Sequence, residues 1–302
     1  MQYKTSQRKL SHMYKLSWLE YFGSLVKDSV FVYFSNIRLH SLLAISIIIS
    51  GCQMDQTVDD EPITVEVKFA VNVGQESFEC GQSYENLGAT RSTVAFTDMR
   101  FYVYNVKLIN DDGQSVALNL MQDEIWQNGM VALLDFEDGC ENGNEALNAS
   151  IIGQVPKGQY QGLEFSVGLP PELNSPETIL EGRGSPLNLN AMFWSWRSGY
   201  KYLRLDTDLP FFRVHLGASA CDDDFNCDDY NIASFSFDRF DHSSEQVLLD
   251  LDTLLSDSDL TQNAEGTPPG CMGQRDDPDC QKIYKHFNLG NGNTNAFSIT
   301  SQ

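Results

Sequence analysis

From residue 63 the chain alternates strictly. Ile63, Val65, Val67, Phe69 and Val71 are apolar, and Thr64, Glu66, Lys68, Ala70 and Asn72 stand between them. A period of two marks a strand that buries one face. Strand-like runs recur at 101–109, 130–136, 160–167, 200–206, 211–216, 232–237 and 246–250. Turn-forming clusters such as Asn110-Asp111-Asp112-Gly113 and Pro156-Lys157-Gly158 separate them, because these residues supply the bends and positive φ values that strands do not tolerate. About eight strands with short connections predict a mainly β fold, an antiparallel β-sandwich or open barrel. Helix is predicted only at 251–255 and, near the C-terminus, at 279–288, where Gly290 stops it. The polar tail at 291–302 is expected to be mobile.

The first fifty residues read differently. Residues 41–50 form an apolar run the length of a signal-peptide core, too short to cross a bilayer as a helix. It leads into Ile48-Ile49-Ser50-Gly51-Cys52, which looks like a bacterial lipobox, so Cys52 is expected to become the lipidated first residue of the mature chain. Gln53 after that cysteine favours export to the outer membrane, facing either the periplasm or the cell surface. The organisation expected is therefore a lipoprotein signal peptide at 1–51, an acidic linker at 52–61, one β domain at 62–290 and the tail.

Charge narrows the partners. The formal net charge is −22, and the leader holds six of the lysine and arginine residues against two acids, so its removal leaves a more acidic protein still. Such a surface repels nucleic acid, and membrane association is expected through the lipid anchor alone. The six remaining cysteines, an even number in an exported chain, read as three disulfides. Fifteen pairings are possible in principle; local spacing favours Cys221–Cys227 and Cys271–Cys280, leaving Cys80–Cys140. No CxxC, CxxCH, GxSxG, HExxH or phosphate-binding glycine loop is present, so the chain reads as the partner or substrate of an enzyme and not as one.

The densest chemistry lies between Met192 and Cys221. Trp194 and Trp196 are half of the four tryptophans in the chain, and His215 is one of five histidines. Asp98 with Arg100, and Asp206 with Arg204, are read as pairs that fix strand ends. Just beyond, Asp222, Asp224, Asn226 and Asp228 space oxygen atoms as the first half of an EF-hand loop does, which raises calcium as a possible ligand. The pattern then breaks, with Cys227 at the loop position that wants glycine and Ala233 at the one that wants glutamate.

Several blocks in order resemble the MbnP-like proteins, also called metallo-mystery-pair four-cysteine-motif proteins. They are DMRFYVYNVKL at 98–108, VALLDFEDGCENG at 131–143, GQVPKGQYQGLEFSVGLPPELN at 153–174, PLNLNAMFWSWRSGYKYLRLD at 186–206, HLGASAC at 215–221 and GCMGQRDDPDC at 270–280. The resemblance implies an envelope copper-binding protein partnered with a di-haem cytochrome c peroxidase-like protein. In that pairing the haem enzyme oxidises a tryptophan of its partner to kynurenine, which joins a copper site that also uses histidine. Carried onto this chain, it makes His215 the foremost copper ligand and Trp194 or Trp196 the residue modified. Family members commonly have Asn-His where this chain has Asn174-Ser175, so one ligand is missing, and His242 and Met192 are candidates to replace it.

Overall fold

The computed structural model describes residues 61–140, 143–174, 182–195, 198–210, 212–222, 226–290 and 294–302, leaving aside the side chain of Ser195. Cys52, the linker up to residue 60, Ser175, Trp196 and Asp224 lie outside the described residues. The main elements in chain order are β1 (Ile63–Val73), β2 (Ser92–Asn110), β3 (Val131–Asp135), β4 (Ser150–Val155), β5 (Tyr160–Val167), β6 (Phe193–Ser195), β7 (Gly199–Thr207), β8 (Arg213–Gly217), β9 (Ser219–Cys221), β10 (Cys227–Asp229), β11 (Ala233–Phe237), β12 (Glu245–Asp250), α1 (Leu251–Leu255), α2 (Pro278–His286) and β13 (Phe297–Ser301).

Two open sheets carry the fold. The first runs β13-β12-β1-β4 and ends on the short strand Asn119–Leu120. The second runs β6-β7-β2-β5-β11, with β8 paired to β7 and β3 lying along the other edge of β2. Pairing within them is antiparallel, as the sequence leads one to expect, except that residues 69–72 of β1 run parallel to 247–250 of β12. Parallel neighbours need a long crossover, and here the whole second sheet intervenes in the chain.

The alternating apolar side of β1 faces the second sheet. Phe69 meets Phe101 of β2 edge-on at 6.2 Å and Phe165 of β5 at 5.4 Å. Phe297 packs into the same core, 4.6 Å from Phe235 and 5.5 Å from Phe165. The tail predicted to be mobile is thus, from Phe297 to Ser301, an edge strand paired antiparallel with β12. Two large apolar side chains in it, Phe297 and Ile299, announce the burial. The outer side of the second sheet holds a smaller cluster, including Tyr102, Leu133, Met192, Tyr200 and Tyr202, on which Leu173, Leu187, Leu189 and Phe193 pack.

The helices start where the sequence supplies caps. Asp250 accepts from the backbone of Asp252 and Thr253, and Asp277 accepts from that of Asp279 ahead of Pro278. All three disulfides form as the spacing suggests: Cys80–Cys140, Cys221–Cys227 and Cys271–Cys280.

Candidate metal centre

Because side chains alternate along a strand, residues two apart share a face and register decides what meets across the sheet. On the outer side of the second sheet His215 lies beside Arg204, Arg204 beside Arg100, and Arg100 beside Asp135. The next row sets Arg213 beside Asp206 and Asp206 beside Asp98. The tyrosine-lined apolar cluster occupies one end of this face and a buried ionic cluster the other.

Arg100 is at the centre of that cluster, 2 % exposed. Its Nη2 lies 2.6 Å from Glu137 Oε2 and 3.3 Å from Asp98 Oδ2, and its Nε 3.2 Å from Asp135 Oδ1. Burial raises the Asp98 carboxyl to about 7, against the pull of Arg204 and Arg100. It raises Asp135 to about 6 in spite of Arg100. Glu137 also accepts from the backbone N–H groups of Gly139 and Asn144, which fastens the loop carrying Cys140.

Arg204 links this cluster to the histidine. It reaches Asp98 Oδ2 at 3.0 Å and grips Asp206 Oδ2 through Nη2 at 2.6 Å and Nε at 2.8 Å. The other oxygen of Asp206 lies 2.6 Å from His215 Nε2. Burial pushes His215 below the ordinary imidazole value, outweighing the hydrogen bond and charge of Asp206 that act the other way. Burial alone would raise Asp206, but the hydrogen bond from His215 and the charge of Arg204 hold it far below the usual carboxylate range. The pair at neutral pH is therefore a neutral imidazole on an ionised carboxylate.

Trp194 completes the site. Its ring stands edge-on to the His215 ring, with centroids 6.3 Å apart. It can lie there because residue 217 is glycine, since a Cβ at that position would meet the indole at 3.3 Å and the Tyr200 carbonyl at 2.4 Å. The β6–β7 hairpin that presents Trp194 is fixed at its turn by buried Asn174, which donates to Ser198 O and accepts from Tyr200 N. Gly199 at that turn has φ 75°, and its missing Cβ leaves the room Asn174 occupies. Lys201 Nζ and Arg204 Nη1 both donate to Ala191 O, holding the approach to β6 against the sheet.

The structure thus unites His215 with Trp194 but not with the other described candidates, Met192 and His242. Met192 is wholly buried in the apolar cluster, and its thioether serves as core. His242 follows β11, which pairs with β5 and not with β7 or β8, and it lines a cleft of about 750 Å³ with Tyr160 and Gln161. His286 sits in α2 on Ser256 and Asp257. Cys221 and Cys227 close the β9–β10 hairpin, in which Asp222 Oδ1 accepts from the Asn226 backbone 2.9 Å away. Asp222 and Asn226 are thus hydrogen-bonded to each other, and Asp228 is exposed on β10. Sequence reasoning missed Asp135 and Glu137 altogether. It paired Asp206 with Arg204 near the end of a strand, and that pair forms; what it did not foresee is that the pair also supports the histidine.

A family model described as MbnP matches residues 62–273 of the chain. Among solved structures, MbnP from Methylosinus trichosporium superposes with a TM-score of 0.68 at 29% identity, covering 80% of this chain and 99% of that one. None of the curated proteins matches.

Proposed function

The chain belongs to the MbnP family, and from that premise we propose that it is an exported copper-binding lipoprotein, the partner and substrate of a di-haem peroxidase-like cytochrome and not itself an enzyme. The observation that carries the proposal is the pairing of Trp194 with a buried, neutral His215. Neutral imidazole suits copper in either oxidation state. Indole nitrogen is a donor only and cannot ligate, whereas the aniline nitrogen and ketone of kynurenine offer lone pairs at the same place. Burial excludes competing water, and the carboxylate behind the imidazole raises its basicity. Asn174, anchored against the hairpin, ends the block in which family members commonly carry the histidine that this chain replaces by Ser175. Anchoring through Cys52 would keep the site in the cell envelope, within reach of a haem partner there.

Copper titration of the protein matured with its cognate haem partner tests this reading. His215→Ala is expected to weaken binding by more than the 10–100-fold that loss of a supporting residue typically costs, while His242→Ala leaves it unchanged. Unchanged affinity in His215→Ala would overturn the assignment of the site, and no copper bound by the wild type would overturn the proposal and mark a family member that has kept the fold and lost the metal along with the histidine at 175.

A further inference from the structure

We infer that Asp206 is a positioning residue that, clamped by Arg204, holds His215 as the Nε2–H tautomer and so presents Nδ1 as its only lone-pair nitrogen. The guanidinium of Arg204, seated on Asp206 Oδ2 through both Nε and Nη2, favours the carboxylate over the acid. An ionised carboxylate only accepts, so the ring nitrogen 2.6 Å from Asp206 Oδ1 must carry the proton. A neutral imidazole has one such proton, which leaves Nδ1 unprotonated. Asp206 cannot rotate away, because its other oxygen takes two hydrogen bonds from Arg204. Arg204 cannot leave either, since Asp98 and Ala191 O hold its other arm. This deepens the copper reading, on which it rests for its purpose, by naming the ligating atom and the residues that select it; the tautomer itself exists without metal.

Asp206→Asn gives the inference a directional test. Arg204 has only donors, so it will claim the amide oxygen and turn the amide NH₂ toward His215. Nε2 must then accept, and the ring proton moves to Nδ1. Imidazole ¹⁵N spectra of the metal-free full-length protein at pH 8, assigned by the signals lost in His215→Gln, read the tautomer directly. The wild type is expected to show a protonated Nε2 and an unprotonated Nδ1, and Asp206→Asn the reverse. A protonated Nδ1 in the wild type overturns the inference without any variant needing to fold, and an unswitched ring in folded Asp206→Asn overturns it as well. In copper-loaded protein the variant should bind about 10–100-fold more weakly. The two readings fail separately. Wild type with the expected tautomer and no copper refutes only the function, and copper bound by a ring protonated at Nδ1 refutes only the role of Asp206.

Discussion

Replacing Arg100 by leucine removes, among the described residues, the cation ion-paired with Asp135 and Glu137 and one of the two ion-paired with Asp98. All three carboxyl groups are nearly or wholly inaccessible, at 1 %, 0 % and 1 % exposure for Asp135, Glu137 and Asp98. Breaking a buried ion pair from one side leaves uncompensated charge and typically costs about 3–5 kcal/mol, a large share of the roughly 5–15 kcal/mol by which domains are stable. Arg204 still covers Asp98, and Glu137 keeps its two backbone donors, so the lower half of that range, about 3 kcal/mol, is expected at pH 8. The pH dependence has a definite sign. Asp98 and Asp135 are raised from 3.8 to about 7 and about 6, so the folded chain binds more protons than the unfolded one between about pH 4 and pH 7. Their contribution is fully present below about pH 4 and is lost as pH rises through these values. At pH 5 both are largely protonated and need the guanidinium less, and Arg100→Leu should cost visibly less there than at pH 8. Urea unfolding of wild type and variant at the two pH values, disulfides intact, measures both. A cost under about 1 kcal/mol at pH 8, or a larger cost at pH 5, would refute the reasoning.

Two further outcomes are expected. Removing Cys80–Cys140, which closes a span of 60 residues, should destabilise by about 4 kcal/mol, and removing Cys221–Cys227, which closes only 6, by about 2 kcal/mol; equal midpoint shifts in the two double-alanine variants would contradict the loop-entropy argument. Cys52→Ala should release the protein from membranes into the soluble envelope fraction, because two acyl chains anchor stably where none can, and a variant that still sediments with membranes would rule out lipidation there.

Much of the fold was legible because a strand with one wet face writes its period into the sequence. β1 and β5 show this, and their boundaries fall within two residues of expectation. β2 was legible only from Phe101 onward, because in its first half both faces are buried and one of them is charged, so Asp98 and Arg100 break the pattern they belong to. β4 escaped notice because Gly153, required where a Cβ would strike Leu118 at 2.6 Å, sits in its middle. Of the site, His215 and Trp194 stood out as rare residues in a crowded stretch. Asp135 and Glu137 did not, since in a chain with 42 acids a buried carboxylate looks like any other. The parallel pairing of β1 with β12 joins segments about 180 residues apart, and no local pattern encodes a neighbour that distant.

That pairing also has a mechanical side. The chain enters the domain through β1, which is hydrogen-bonded along both edges, to β4 over residues 63–68 and to β12 over 69–72. A pull on the preceding linker directed along the strand runs across those bonds, so they resist together in shear. A strand at the rim, loaded at right angles, would come away one bond at a time like a zip. A tether attached ahead of Ile63 is thus fastened to the middle of a sheet, and a tug that would strip a peripheral strand is spread here over two ladders at once.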